Sequence, residues 1–173
     1  MKSLEAYKNI FFDRDGIINE IIIRENNIVS SPRVFSEFVI RDEFINFFNK
    51  LKKDKYFFVV TNQPDISRGL LDRDQLVKMH NELINKFTFN KIVFCPHDNY
   101  HNCNCRKPKS GMVDSIIKEF SLNKDECLII GDSAKDADCG ISAGIDYVLL
   151  LTLYNTNDIK MYNNGVKCLD DIF

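Results

Sequence analysis

The first stretch of the sequence with clear chemical potential is Asp13-Arg14-Asp15-Gly16, which follows the apolar residues 10–12. Two carboxylates this close together repel each other unless a cation lies between them. Hard oxygen ligands with few imidazoles nearby suit Mg²⁺, whose coordination is usually completed by water and by a phosphate of the substrate. The stretch therefore predicts a magnesium site at the end of a strand, together with a ligand that carries phosphate.

Three more apolar runs along the chain are followed directly by polar residues. These residues are Thr61-Asn62-Gln63, Cys95-Pro96-His97 and Gly131-Asp132, with Asp136 one helical turn later. Ligands of open α/β sheets bind beyond the carboxyl ends of the strands, which share one edge of the sheet. We therefore expect Asp13, Asp15 and Asp132 to converge on one small volume around the cation.

The two aspartates of the first motif are expected to have different roles. Asp13, at the strand end, is placed to act as a carboxylate nucleophile, and Asp15 to protonate the leaving oxygen and later activate water. Lys107 and Thr61 are the candidates to neutralise and hydrogen-bond the transferring phosphoryl oxygens. The alternative for the first motif taken alone is an ordinary acidic turn, since short motifs also recur by chance.

Hydrophobic periodicity predicts the elements that must position these residues. Apolar, partly β-branched runs predict strands at residues 8–12, 56–60, 91–94, 127–130 and 147–151. Apolar residues at three- and four-residue steps predict helices at residues 42–53, 72–87, 112–120 and 134–143. A loop or hairpin is expected at residues 20–40, and a short helix with a closing strand at residues 155–173. The alternation predicts an α/β fold, a three-layer Rossmann-like parallel sheet with helices on both faces.

Composition narrows the class of protein. The chain has 173 residues, of which 45% are hydrophobic, so we expect one globular domain over residues 1–173. A net charge of -2, from 23 basic and 25 acidic residues, argues against nucleic acid or an anionic membrane as a partner. No apolar run reaches the length of a membrane span, and MKSLEAYKN lacks the core of a signal peptide. We therefore expect a cytoplasmic protein. Because no apolar stripe stands out, we also expect a monomer.

A second candidate metal site lies in the cysteine-rich loop at residues 95–109. Cys95, His97, Cys103 and Cys105 have the spacing C-x-H-x5-C-x-C. Three thiolates and one imidazole form the closed tetrahedral set of a structural zinc site. His101 is the competing imidazole, and free thiols on a flexible loop are the alternative.

Bound zinc would rigidify the loop that ends in Arg106-Lys107. Arg106 is then a candidate to bind a second anionic or hydroxyl-rich part of the substrate. Cys127, Cys139 and Cys168 are scattered and are expected to be small core residues.

The order of these motifs resembles the haloacid-dehalogenase-like phosphatases: DxDG after the first strand, Thr after the second, a Lys before a helix, and GD-x3-D after the fourth. The resemblance implies that Asp13 is the nucleophile, Asp15 the acid/base, and that Thr61 and Lys107 stabilise the phosphoryl group. It also implies a Mg²⁺ site. Its expected ligands are Asp13, the backbone carbonyl of Asp15, and Asp132, with Asp136 in support.

Four further blocks are similar to one capless subgroup, which holds the D-glycero-D-manno-heptose-1,7-bisphosphate 7-phosphatases and the histidinol-phosphate phosphatases. The blocks are TNQ at residues 61–63, Arg68-Gly69, CPH…CxCRKPxxGM at 95–112 and GDSxxD at 131–136. Asn62, Gln63 and Arg106 are the candidate substrate-binding residues. The subgroup implies a small phosphorylated metabolite as substrate and a role in carbohydrate metabolism.

The choice between the two substrates depends on smaller features. Arg68-Gly69 and residues 107–112 favour the heptose bisphosphate, a lipopolysaccharide precursor, as does the expectation that one domain of this length has no room for a fused dehydratase domain. The short gap between His97 and Cys103, together with Asp65, favours histidinol phosphate. Two rivals belong to other classes of protein: a phospho-acceptor signalling domain and a zinc-stabilised binding module. The second aspartate, Asp15, argues against the first rival, and the near-neutral charge argues against the second.

Overall fold

The computed structural model describes residues 2–52, 54–155 and 160–173. In chain order the strands of this part are β1 (Asn9–Phe12), β2 (Ile22–Arg24), β3 (Ile28–Ser30), β4 (Tyr56–Asn62), β5 (Lys91–Cys95), β6 (Cys127–Gly131), β7 (Asp146–Leu150) and β8 (Gly165–Val166). The main sheet has the order β5-β4-β1-β6-β7-β8, and all neighbouring pairs are parallel. The predicted parallel α/β sheet is confirmed.

Helices cover both faces of this sheet. The α-helices of the described residues are α1 (Asp42–Lys50), α2 (Arg73–Lys86), α3 (Gly111–Phe120) and α4 (Ala134–Ala143). Successive side chains of a strand point to opposite faces. Phe12 of β1 therefore packs against Phe44 of α1 on one face, whereas Phe11 belongs to the core that includes Val113 of α3 and Cys139 of α4. The result is the three-layer arrangement expected from the alternating elements.

The boundaries differ from the predicted ones by one to a few residues. Helix α1 ends at Lys50, because Leu51 adopts an extended backbone with ψ 140 and buries its side chain. Strand β4 extends to Asn62, so Thr61 lies within the sheet. Helix α4 has the predicted bounds. Ser133 and Asp136 form a capping box at its start, and Gly144 ends it at φ 71.

The stretch between β1 and α1 contains a small hairpin outside the main sheet. Strands β2 and β3 pair antiparallel, and their turn places Asn26 and Asn27 at φ 60 and 58, which asparagine tolerates better than most residues. In the tail, β8 and a 3-10 turn at Leu169–Ile172 are the closing strand and short helix that the sequence predicts; part of that stretch lies outside the described residues. Within the described residues, the helices are too short or too polar to cross a bilayer.

Candidate active site

The polar residues predicted from the strand ends meet at the carboxyl edge of the sheet. Asp13 and Asp132 directly follow β1 and β6, and Thr61 lies near the end of β4. Because β1 lies between β4 and β6, Asp13 occupies the centre of this edge. The parallel pairing therefore brings together residues that are far apart in the sequence.

Three carboxylates form a compact cluster at this edge. Asp13, Asp132 and Asp136 each offer an oxygen atom, and these atoms all lie within 4.8 Å of one another. Lys107 is 2% exposed, and its Nζ lies 2.8 Å from Asp13 Oδ1 and 2.5 Å from Asp136 Oδ1. The same Nζ donates to the backbone oxygen of Val60 at 2.8 Å. The Lys107 ammonium therefore pairs with two of the three carboxylates of the cluster, Asp13 and Asp136.

The electrostatics of the cluster reflect this excess of negative charge. Burial raises the pKa of Asp13 to about 6; Asp136 and Asp15 act in the same direction, and Lys107 opposes them. Burial and the charge of Asp13 also raise the pKa of Asp132 well above its usual value. The pKa of Lys107 is raised although burial opposes this, because Asp13 and Asp136 stabilise the ammonium. An all-oxygen donor set with uncompensated negative charge fits Mg²⁺.

Asp136 is held in place by its own helix. Its Oδ2 accepts hydrogen bonds from the Ser133 backbone N–H at 3.1 Å and from Ser133 Oγ at 2.6 Å, while Oδ1 faces Lys107. The Asp136 side chain packs directly against the backbone of residue 131. This packing requires a glycine there, because a Cβ would lie 2.2 Å from Asp136 Cγ. Both oxygens of Asp136 thus have partners, so this side chain orients Lys107 at the site.

Asp15 points to a different set of partners. Its Oδ1 accepts from Arg14 Nη2 at 2.7 Å and Asn19 Nδ2 at 3.0 Å, and its Oδ2 accepts from Gln63 Nε2 at 2.7 Å. Burial favours a higher pKa, but the fully buried Arg14 and these hydrogen bonds outweigh it and lower the pKa of Asp15. The carboxylate of Asp15 is thus held in its ionised form beside the cluster.

The residues at the end of β4 mainly organise their neighbours. Gln63 Nε2 also donates to Thr61 Oγ1 at 2.9 Å, which leaves the Thr61 hydroxyl able to donate to a phosphoryl oxygen. The Asn62 side chain forms two hydrogen bonds with the backbone of Lys107, one from its Nδ2 and one to its Oδ1, each 3.0 Å long. Asn62 thus fixes the peptide from which Lys107 projects.

A cleft of about 550 Å³ opens above the cluster. It is lined by residues of the β2–β3 hairpin, by Asp13, Asp15 and Asp132, and by the cations Arg33, Arg68, Arg106, Lys107 and Lys135. Asp65, 5% exposed, lies between two of these cations. Its Oδ2 is 2.7 Å from Arg33 Nε, and its Oδ1 is 3.1 Å from Arg68 Nη1.

The predicted zinc ligands also come together. The Sγ atoms of Cys95, Cys103 and Cys105 and the Nδ1 of His97 approach one another at 3.2 to 3.6 Å in the pairs that make contact. A tetrahedral zinc with Zn–S of about 2.3 Å and Zn–N of about 2.0 Å requires edges of about 3.5 to 3.8 Å. The donor set therefore fits zinc. The His101 ring accepts from the Asp98 backbone N–H instead, at 3.1 Å.

The cysteine loop also contacts the charged wall of the cleft. Arg106 donates to Asn99 Oδ1 at 2.8 Å and to the His97 backbone oxygen at 3.0 Å. Asp98 Oδ2 accepts from Arg68 Nε at 2.6 Å. The position of two arginines in the cleft therefore depends on the conformation of this loop.

Several residues of the site were not predicted from the sequence. Arg14 lies within the first motif and Asn19 three residues after it, but only the folded structure shows that both donate hydrogen bonds to Asp15. Tyr154 and Asn155 follow β7 and contact Asp132: the Tyr154 hydroxyl donates to Oδ2 at 2.8 Å, and Asn155 Nδ2 to the backbone oxygen at 2.6 Å. The rule that polar residues matter after each strand, applied to the fifth predicted strand, would have pointed to this last pair.

Comparison with known proteins adds independent information. Residues 104–164 match the family described as HAD-hydrolase-like. The chain is 30% identical over 152 residues to D-glycero-alpha-D-manno-heptose-1,7-bisphosphate 7-phosphatase of Campylobacter jejuni, covering 83% of this chain and 82% of that protein. It is 34% identical over 151 residues to the D-glycero-beta-D-manno-heptose-1,7-bisphosphate 7-phosphatase of Neisseria meningitidis, covering 84% and 78%.

Two further matches bear on the fold and on the alternative substrate. The crystal structure of D,D-heptose 1,7-bisphosphate phosphatase from B. bronchiseptica, complexed with magnesium and phosphate, superposes with a TM-score of 0.81 at 24% identity, covering 94% of this chain and 93% of that one. The histidine biosynthesis bifunctional protein HisB of Blochmanniella floridana is 32% identical over 145 residues, which is 80% of this chain and 39% of that protein.

Proposed function

Since the chain belongs to the haloacid-dehalogenase-like phosphatases, in the subgroup of the heptose-1,7-bisphosphate 7-phosphatases and histidinol-phosphate phosphatases, we propose that it removes the 7-phosphate of D-glycero-D-manno-heptose 1,7-bisphosphate. Membership makes it a phosphoric monoester hydrolase. The proposal adds the substrate, the cation and the roles of the residues.

The choice of substrate rests on the burial and the ion pairs of Asp65. An isolated carboxylate in the cleft would attract the cationic end of histidinol phosphate, but Asp65 is buried and already pairs with both Arg33 and Arg68. The remaining charged residues of the outer cleft, Arg106 and Lys135, are cations. This wall favours a substrate whose second charged group is an anion, as in a bisphosphate.

The proposed reaction has two steps. A carboxylate oxygen of Asp13 attacks phosphorus, the bond to the ester oxygen breaks, and Asp15 gives its proton to that oxygen, which leaves an aspartyl phosphate on Asp13. Asp15 then takes a proton from water, whose oxygen attacks phosphorus and releases inorganic phosphate and the Asp13 carboxylate. Since Arg14, Asn19 and Gln63 hold Asp15 ionised, it must take up a proton before the first step.

The remaining residues stabilise charge on the transferring group. Lys107 and the Thr61 hydroxyl would contact its oxygens, and Asp136, Asn62 and Val60 would hold Lys107 in position. Mg²⁺, when bound by Asp13, Asp132 and the backbone carbonyl of Asp15, supplies positive charge that offsets the repulsion between the phosphate and the carboxylates.

We also assign the cysteine loop a structural zinc ion. Three thiolates and one imidazole leave no open coordination position for a substrate, so zinc would act by holding the loop. Hydrogen bonds from Arg68 and Arg106 to residues of this loop support the role. A rigid loop would hold these two arginines in place in the cleft.

A matched substrate panel tests the proposal. We would measure kcat/KM, with Mg²⁺ present, for heptose 1,7-bisphosphate in both anomeric forms, heptose 7-phosphate and histidinol phosphate. We expect one of the bisphosphate anomers to be the best substrate and to exceed the monophosphate by at least about 10-fold, because of the cationic wall. A higher kcat/KM for histidinol phosphate would refute the substrate assignment and favour the alternative suggested by the partial similarity to HisB.

Removal of Mg²⁺ with a chelator is expected to stop turnover, and its re-addition to restore turnover.

A further inference from the structure

The turn that follows β7 is attached to one of the proposed magnesium ligands. Asn155 is buried; besides the Asp132 backbone oxygen, its Nδ2 donates to the Leu150 backbone oxygen at 2.9 Å, and its Oδ1 accepts from the Thr152 backbone N–H at 2.8 Å. This one side chain therefore joins the end of β7, the turn and the backbone of Asp132. The adjacent Tyr154 is placed by this turn so that its hydroxyl reaches Asp132 Oδ2.

Gly16 encloses the same carboxylate oxygen from another side. It has a φ of +88, and a Cβ built on it would lie 2.0 Å from Asp132 Oδ2 and 2.8 Å from the Tyr154 hydroxyl. The Asp132 carboxylate is thus held between the Gly16 backbone and the Tyr154 O–H. Such close packing leaves the side chain little freedom to rotate.

The partners of the two oxygens of Asp132 differ. Oδ2 accepts from Tyr154, whereas no side-chain or backbone donor among the described residues contacts Oδ1. A ligand oxygen whose neighbour is fixed by a hydrogen bond needs less ordering when a cation binds. Tyr154 also lines the cleft, so its hydroxyl lies at the boundary between the cluster and the substrate space.

We propose that Tyr154 is a positioning residue for the divalent cation. Its hydroxyl fixes the Asp132 carboxylate so that Oδ1 is presented to the cation, while Asn155 fixes the backbone. The inference rests on the proposed magnesium site and adds a residue to it. Tyr154 takes no part in bond making or breaking, so its removal should weaken cation binding before it affects chemistry.

The test compares two tyrosine variants by calorimetric titration of the substrate-free, metal-free protein with Mg²⁺. In Tyr154→Phe we expect Mg²⁺ to bind about 10-fold more weakly, as is common when the partner of a metal ligand is lost. Tyr162→Phe is the matched control, because the Tyr162 hydroxyl donates at 2.8 Å to Asp138, an aspartate of α4 outside the carboxylate cluster. It should bind Mg²⁺ as the wild type does.

Two further measurements separate positioning from packing. Turnover by Tyr154→Phe should recover towards the wild-type kcat at high Mg²⁺, with the half-activating Mg²⁺ concentration raised by the same factor as the dissociation constant. An unchanged Mg²⁺ affinity would overturn the inference, and a lower metal-free Tm with unchanged affinity would leave Tyr154 a packing role only. If the wild-type protein itself binds no Mg²⁺, the proposed function fails first, and this inference fails with it.

Discussion

At the scale of single residues, the site contains two buried cations, which pair with different carboxylates. Lys107 contacts Asp13 and Asp136, and Arg14 contacts Asp15. These environments shift the pKa values of the two aspartates of the first motif in opposite directions. The pKa of Asp13 is raised to about 6, and that of Asp15 is lowered. The proposed roles require the opposite order, an ionised Asp13 and a protonated Asp15, so a bound cation must lower the pKa of Asp13 before this carboxylate attacks.

The nucleophile role makes a sharp prediction for Asp13→Asn. An amide cannot form the acyl phosphate, so we expect kcat to fall by about 10⁴-fold or more with the fold intact. The measurement is steady-state phosphate release, with circular dichroism as the check on folding. Asp138→Asn is the control, because it also removes one carboxylate charge, but from a residue of α4 outside the cluster. This variant should keep wild-type activity. Appreciable turnover by Asp13→Asn would rule out this aspartate as the nucleophile.

The double hydrogen bond between Asn62 and the Lys107 backbone makes a second prediction. Asn62→Ala should lower kcat/KM by about 10-fold, because two bonds of about 1 kcal/mol each no longer fix the Lys107 peptide. Asn90→Ala is the control, since Asn90 Oδ1 accepts from the Phe57 backbone N–H near the other end of β4 at 2.8 Å. It should lower stability and leave kcat/KM unchanged. Equal kcat/KM values for the two variants would contradict the positioning role of Asn62.

At the scale of elements, the cysteine loop and the segment after the hairpin are joined by a chain of charges across the cleft. The chain runs from Asp98 through Arg68 and Asp65 to Arg33. Asp98 lies in the cysteine loop, and Arg33 follows strand β3. The order of the loop is thus coupled to both sides of the substrate cleft, although none of its sulfur atoms lines the cleft.

Cys103→Ser tests this coupling. We expect zinc affinity to fall by more than about 100-fold, the Tm to fall, and KM to rise because Arg68 and Arg106 lose their fixed partners. Metal analysis, thermal unfolding and steady-state kinetics are the measurements. Cys168→Ser provides the comparison, since the Cys168 sulfur lies outside the cluster of proposed zinc ligands. If zinc content were the same in both variants, the proposed zinc site would be wrong.

At the scale of the whole molecule, a partly buried histidine couples stability to pH. His80 of α2 packs against Phe94 with ring centroids 5.7 Å apart, and its Nε2 is buried without a hydrogen-bond partner among the described residues. Burial lowers the pKa of His80 to about 3; the nearby Arg14 adds to this, and Asp15 opposes it. In the unfolded chain this imidazole titrates near 6.5. The unfolded state therefore binds a proton between pH 6.5 and 3 that the folded state does not bind.

The sign of the effect follows from this difference in proton binding. The contribution of His80 to stability is fully present above about pH 6.5 and is lost as the pH falls towards 3. In His80→Leu, the fall in unfolding free energy between pH 7 and pH 5 should be smaller than in the wild type by roughly 2 kcal/mol. Denaturant titrations at both pH values measure this. An unchanged pH dependence in His80→Leu would contradict the prediction.

The order of residues along the chain was enough to predict the parallel sheet and the polar residues at its strand ends. Periodicity and apolar runs depend on local order along the chain, so they locate strands and helices to within a few residues. A parallel sheet then places Asp13, Thr61 and Asp132 at one edge whatever the details of packing. The cysteine spacing is local too, and the four predicted ligand atoms come together in the structure.

The hydrogen-bond partners and the pKa shifts of these residues could be known only from the folded chain. Arg14 and Asp15 are adjacent in the sequence, but Arg14 controls the pKa of Asp15 because the fold buries its guanidinium. Asp65 pairs with Arg33 and Tyr154 with Asp132 across distant stretches of the chain, and no local pattern marks either contact. Burial, hydrogen-bond partners and nearby charges depend on how the elements pack in three dimensions. Residue spacing shows only which side chains each element places at the edge of the sheet.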